Sequence, residues 1–299
     1  MFSAPLSLTT DTAFELPSYL YESGIGNAWV DAHLQGRDIT SYLDAPCFDT
    51  QGNLWVVDIP FGRIFRITSS GEWDLIVKYD GWPSGLCFHP DGRLIIADAR
   101  HGLLALDVTE RQIKPFLTHT QSQRFKGVKE VIFSRDGDCY FSDPGQTGLQ
   151  DASGAVYRLT ADGSVQRLLD SVPNPRGLAL NHAESILFIA AAADNAIWQA
   201  PLVDADVSKV GKFIQMTGGM GSGAGPNGIA SDSDNHLFIA HNGLGAVWQF
   251  DKRGEPKYRI DSSRGDWTTN VAFDPKEPRN LFITEAQTGT VLKAILPLY

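Results

Sequence analysis

Leu43–Thr68 reads LDAPCFDTQGNLWVVDIPFGRIFRIT, and this stretch decides the fold. Three short strands, CFD, LWVVD and RIFRIT, are separated by the turns TQGN and IPFG. The strands are rich in β-branched and aromatic residues, while the turns carry Gly, Pro, Asp or Asn. Strands joined by so few residues pair as antiparallel hairpins, and WDLIVKY supplies a fourth strand to the meander.

The same unit returns along the chain as SGLCFHPDGRLIIAD, KEVIFSRDGDCYFSD, RGLALNHAESILFIAA, NGIASDSDNHLFIAH and NVAFDPKEPRNLFITE. The units begin at Asp44, Ser84, Lys129, Arg176, Asn227 and Asn270. Four-stranded repeats at intervals of roughly 40–50 residues predict a β-propeller, here an all-β fold of six blades. One propeller domain is expected to span residues 1–299. The last unit ends after TVLKAIL, one strand short, so the N-terminal segment 1–40 is expected to close it. Ala13–Ile39 is the stretch assigned to that missing outer strand, because an open ring leaves strand edges unpaired. The Gly-rich Met216–Gly228 reads as a loop between blades, and lacks the Lys-Ser/Thr ending and strand-to-helix context of a phosphate cradle.

Composition narrows the partners. A formal net charge of -10 argues against nucleic acid and against anionic membranes, which both require a basic face. No apolar run approaches the 18 or so residues that a spanning helix needs, and the N-terminus lacks the basic and apolar regions of a signal peptide. The three cysteines, Cys47, Cys87 and Cys139, fall within strand positions. They read as small buried hydrophobes in a reducing compartment, which places the protein in the cytoplasm.

Propeller geometry converts sequence position into location. The first residues of the six inner strands form one ring at one mouth of the central channel. The residues ending the second strands, among them Asp58, Asp98, Asp143, His241 and Glu285, return to that mouth. So do the blade-crossing loops bearing Trp82, His119, Phe125 and Trp267. Polar groups converging above a closed floor and rimmed by aromatics mark a small-molecule site.

The units GNLWVVDIPFGRIFRI and DGDCYFSDPG resemble those of the gluconolactonase/regucalcin (senescence marker protein) family of six-bladed propellers, and the likeness runs from about Asp44 to Leu296. That resemblance implies hydrolysis of a lactone or related ester, with a divalent cation, calcium or zinc, at the channel mouth. Its usual ligands lie in Glu-Gly-Pro, Pro-Asn-Asp, Asn-Gly and Pro-Asp-Gly motifs. The matching positions here read Asp44-Ala45-Pro46, Val128-Lys129-Glu130, Arg176-Gly177 and Pro226-Asn227-Gly228. Asn270 keeps an Asn often seen in the last blade. Calcium seeks six or more oxygens, whereas Lys and Arg offer no acceptor. The expectation is therefore that the usual metal is weakly held or absent, that Asp44 and Asn227 bind it if it is present, and that no other cofactor is used.

In the metal's place, Arg176 is suited to hold a carboxylate or a developing oxyanion. Lys129 is suited to proton exchange or nucleophilic attack, since a neighbouring cation lowers a lysine pKa. Asp44 is cast as the base for water, with His241 and Asp143 as secondary proton carriers. Ser84, Trp82, His119, Phe125, Asn227, Trp267 and Asn270 are the expected substrate contacts. The resemblance implies a lactone or ester hydrolase, and the cationic ring residues suit a small anionic substrate. A metal-independent lyase or isomerase on a carboxylated molecule stays open, as does a binding propeller plugged by a Lys129–Arg176–Asp44 ion cluster.

Overall fold

The computed structural model describes residues 4–120, 123–203, 206–218 and 224–297. Within them the strands form six antiparallel sheets set in a ring, with the first strand of each sheet innermost. The inner strands are Leu43–Phe48, Pro83–Phe88, Glu130–Phe133, Pro175–Leu180, Gly225–Ser231 and Thr268–Phe273, opening blades 1 to 6. WDLIVK forms the outer strand of blade 1, Trp73–Lys78. Of the Gly-rich loop Met216–Gly228, residues 219–223 lie outside the described residues.

Local chemistry makes each inner hairpin. In blade 1, Asp49 Oδ1 accepts from the amides of Gln51 and Asn53 at 2.9 and 2.8 Å. Gly52 takes the positive φ of +89° that such a turn needs. The apolar residues of LWVVD and its counterparts then pack between blades. Six buried clusters result, one per blade-to-blade wedge. Trp55, Ile64, Leu86 and Ile96 belong to the wedge between blades 1 and 2, and Leu43, Val56, Phe282 and Val291 to the one between blades 6 and 1. Hydroxyls stitch adjacent blades together. Ser84 Oγ donates to the Val128 carbonyl at 3.1 Å, Ser142 Oγ to that of Arg176 at 2.7 Å, and Thr269 Oγ1 to that of Leu43 at 2.8 Å. The last of these closes the ring between blades 6 and 1.

The N-terminal segment closes the ring by a route that differs from the expectation. The outer strand of blade 6 is Asp11–Glu15, antiparallel to Thr290–Ile295, so only the start of Ala13–Ile39 takes part. Upstream, Leu6–Thr9 adds a parallel fifth strand to blade 5 against Pro256–Asp261. Downstream, the chain becomes a strap laid over the channel mouth. Arg63, buried in blade 1 and paired with Asp58, donates to the Leu20 carbonyl, and Lys78 pairs with Glu22. The strap ends in a short helix, Ala28–Leu34, capped by Asn27, whose Oδ1 accepts from the Trp29 and Val30 amides. Its apolar Trp29 and Val30 are buried on the blades, which is why this stretch cannot serve as an edge strand. Asn27 Nδ2 also donates to the Pro60 carbonyl at 2.8 Å. Replacing Asn27 with Ala should cost about 1 kcal/mol, and proteolysis within residues 18–40 should accelerate while the blades stay protected.

Among the described residues no helix is long and apolar enough to cross a membrane. The three cysteines are free thiols, half-buried or buried. Desolvation lifts the Cys87 thiol to about 12, so it is not a ready nucleophile.

Candidate active site

A cavity of about 480 Å³ opens at the mouth under the strap. The inner strands supply its floor, with Ser84, Lys129, Arg176 and Asn227, and the strap and rim add Trp29, His33, Tyr42, Trp82 and Trp267. Three ring residues are followed by glycine because the strands converge too closely for a side chain there. A Cβ at Gly85 would come within 2.8 Å of the Lys129 carbonyl, one at Gly177 would overlap the Asn227 carbonyl, and one at Gly228 would overlap Asn270 Oδ1. Tight convergence of this kind is what brings six separate repeats to one floor.

Lys129 reaches across the ring from blade 3 to blade 1, and its Nζ lies 2.6 Å from Asp44 Oδ2. The other Asp44 oxygen accepts from the Ala45 amide at 2.7 Å. Asp44 is 1 % exposed. Each of its oxygens has a partner, and the residue is not among those lining the cavity. Its geometry is that of an anchor for Lys129. Burial lowers the Arg176 pKa from its usual value, opposed by the Asp44 charge, and a guanidinium stays charged even so. Tyr42 is pushed up to about 12, chiefly by desolvation and then by the Asp44 charge. Its hydroxyl accepts from Asn242 Nδ2 at 3.0 Å.

Below this floor lies a residue that the sequence marks only as a motif neighbour. Glu130 follows Lys129, and the two line opposite cavities. Lys129 faces the mouth, while Glu130 lines a cavity of about 600 Å³ on the other side of the ring, with Cys47, Cys87 and Asn270. Asn270 Nδ2 donates to Glu130 Oε2 at 2.9 Å and the Val131 amide to Oε1 at 3.2 Å. Burial, then the Asp44 charge, lifts the Glu130 carboxyl to about 7 against the pull of Lys129 and these hydrogen bonds.

Trp82 and Trp267 stand at the rim as expected. The Arg100 guanidinium lies 5.5 Å from the Trp82 ring centre, and Arg37 lies 5.8 Å from that of Trp267. Ser84 lines the cavity, but its hydroxyl is directed to the Ala97 and Val128 carbonyls. Five named residues are placed away from the cavity. Asn270 is turned down to Glu130. Phe125 packs on Phe141 and Tyr157, with ring centres 5.1 and 5.3 Å away. His119 sits in an exposed two-stranded hairpin. His241 is fully buried inside blade 5. Asp143 accepts from the Lys126 and Gly127 amides at 3.0 and 2.7 Å, a turn cap rather than a proton carrier. Asp58, Asp98 and Glu285 hold turns in the same way.

His33 is a cavity residue that the repeat pattern does not point to. A weaker signal was present, since Asn27 precedes an apolar pair and His33 follows Trp29 by one helical turn. A cluster of Asp232, Asp234 and His236 lies in the inner turn of blade 5, remote from this floor. Asp232 Oδ1 there caps the Asp234 and His236 amides.

Six blades surround a strapped cavity whose floor carries Lys129 and Arg176. Residues 44–287 match the SMP-30/Gluconolactonase/LRE-like region, and the chain belongs to that family. Among curated relatives it is 24 % identical to the diisopropyl-fluorophosphatase of Loligo vulgaris, over 84 % of this chain and 87 % of that protein. It is likewise 24 % identical to the lactonase drp35 of Staphylococcus saprophyticus, over 83 % of this chain and 78 % of that one. Among solved structures, the Xanthomonas campestris gluconolactonase superposes with a TM-score of 0.75 at 21 % identity, covering 96 % of this chain and 99 % of that one. The calcium-binding regucalcin of Agrobacterium tumefaciens gives 0.74 at 18 %, with 99 % of each chain covered. Both confirm the six-bladed architecture.

Proposed function

We propose that the protein is a hydrolase that opens a lactone or related ester of a small anionic molecule, with Lys129 and Arg176 supplying fixed positive charge at the cavity floor. One observation carries the reading. In a chain of net charge -10, the described residues lining the cavity include Arg37, Lys126, Lys129 and Arg176 and no carboxylate. A walled concavity of one sign concentrates substrates of the other. Fixed positive donors are also what a developing oxyanion requires. Membership of a family whose members include named lactonases gives the reaction class.

The residues present fit a divalent cation poorly. The Lys129 ammonium already occupies Asp44 Oδ2, and the Ala45 amide occupies Oδ1. Asn270 Oδ1 accepts from the Val271 amide, which leaves Asn227, among the described residues, as the ring's uncommitted side-chain carbonyl. Hard cations take several oxygens at once. No step is therefore routed through a metal. Arg176 orients the substrate carboxylate or the acyl oxygen, and Lys129, held by Asp44, stabilises negative charge as it forms. Turnover on a panel of carboxylated and neutral lactones should favour the carboxylated members and be unchanged by chelator. Arg176→Met should raise KM for those members at least about tenfold. Activity abolished by chelator and restored by calcium or zinc would overturn the proposal.

A further inference from the structure

The strap brings over the mouth a titratable group that lies outside the six repeats. His33 lies in the last turn of the helix Ala28–Leu34 and lines the cavity floored by Lys129 and Arg176. Its ring is stacked on Trp29, centres 4.7 Å apart, and meets Trp82 edge-on at 5.8 Å. Its Nδ1 is 2.9 Å from the Trp29 carbonyl oxygen. A carbonyl only accepts, so Nδ1 carries the proton and the lone pair of the neutral ring is on Nε2. An imidazole whose tautomer is fixed by a backbone carbonyl and whose plane is set by two aromatics is an oriented base.

Among the described residues, the rest of the cavity lacks one. Asp44 has both oxygens engaged, Glu130 lines the opposite cavity, and Tyr42 keeps its proton up to about 12. We infer that His33 is the general base of the site, contributed by the strap rather than by the ring, and that it activates water for attack on the substrate acyl carbon. The inference rests on the ester-opening reading above. His33 Nε2 takes a proton from water as the new C–O bond forms, and Arg176 and Lys129 hold the resulting oxyanion. The acyl–alkoxide bond then breaks, and the imidazolium returns its proton to the departing oxygen. The product is a hydroxy acid, still tethered where the substrate was a ring.

The charges facing His33 across the cavity are Lys129 and Arg176. Arg37, Lys126 and Tyr42 line the same space, and Asp31 stands on the same helix. Desolvation first, and then those two facing cations, hold the His33 pKa below its ordinary value, against the Trp29 hydrogen bond. Neutral His33 therefore persists to mildly acid pH, and activity should fall only as the pH drops through that lowered value.

His33→Asn tests this, because the Asn amide can still donate to the Trp29 carbonyl while the Nε2 base is gone. On a lactone turned over by the wild type, kcat should fall about 100-fold or more with KM little changed, and the acid limb of the pH–rate profile should disappear. Added imidazole should restore part of the rate. A His33→Asn enzyme with wild-type kcat and the same acid limb overturns the inference and leaves the hydrolase reading standing. Nitrogen-15 NMR reads the tautomer without substrate, since Nε2 should be unprotonated and Nδ1 protonated at pH 7. The opposite tautomer overturns the inference. Whether the wild type opens any lactone decides the parent reading, while the ratio of variant to wild type decides His33, so either can fail alone.

Discussion

Lys129→Met should lose activity by two to three orders of magnitude and, in the same variant, lower the stability of the whole propeller by roughly 3–5 kcal/mol. The two effects have different causes. The stability loss comes from Asp44, which is 1 % exposed and loses its ammonium partner at 2.6 Å, keeping the Ala45 amide and the more distant charge of Arg176. A buried carboxylate stripped of its partner is among the costliest single defects available to a domain. At this chain length the fall in Tm should be on the order of 10 °C. The activity loss comes from removing a fixed positive charge where negative charge develops.

A double variant separates the two. Lys129→Met with Asp44→Asn removes the orphaned charge as well as its partner, so most of the lost stability should return, with a coupling energy of at least about 2 kcal/mol in the cycle. Its activity should not return. A double variant as active as wild type would mean that the pair is a structural plug of the channel and that catalysis lies elsewhere. Thermal melts and turnover on one lactone, measured for all four members of the cycle, suffice to distinguish these cases.

This cycle also sorts the ring into parts with different duties. Asp44 holds Lys129, Lys129 and Arg176 present charge, and Asn270 turns away to hold Glu130. On the proposed reading the ring supplies charge, and the base comes from His33 on the strap. The strap that closes blade 6 also completes the cavity, because the chain leaving Asp11–Glu15 runs over the mouth before it enters blade 1. Ring closure and the covering of the site are done by one segment.

The six blades and the meeting of Asp44 with Lys129 were legible because a period-two strand pattern repeated six times is a strong signal, and a closed ring turns equal positions in repeats into neighbours in space. The strap was not legible. AWVDAHL is a single helix of barely two turns, too short for a periodicity, and its place over the mouth depends on tertiary contacts such as Asn27 to Pro60 and Leu20 to Arg63. Phe125 and His119 belong to a loop that crosses the rim, yet the aromatic ring of Phe125 gains more by packing on Phe141 and Tyr157 than by facing water. Asp143 and His241 share the position that ends a second strand. At that position a short carboxylate finds backbone amides to cap before it finds a ligand.

Glu130 supplies the second large effect, a stability that depends on pH. Its carboxyl titrates near 7 in the folded protein, whereas an unfolded Glu titrates near 4.3. A folded pKa above the unfolded one gives stability that is fully present below the unfolded value and is lost as pH rises through the folded one. The window here runs from about pH 4.5 to about 7. The loss across it should be about 3 kcal/mol, at roughly 1.4 kcal/mol per unit. Asp44 is the main charge behind the shift after burial. The Asp44 charge disfavours a second buried negative charge in the same channel, so Glu130 holds its proton to higher pH. Glu130→Gln removes the titration and keeps a carbonyl oxygen for the Asn270 amide. Its loss of the acceptor for the Val131 amide lowers stability equally at every pH. The informative quantity is therefore the difference between variant and wild type, followed by denaturant melts from pH 5 to pH 8. That difference should move in favour of the variant by about 2.5 kcal/mol over the range. A gap that stays constant from pH 5 to 8 would show that Glu130 ionises normally.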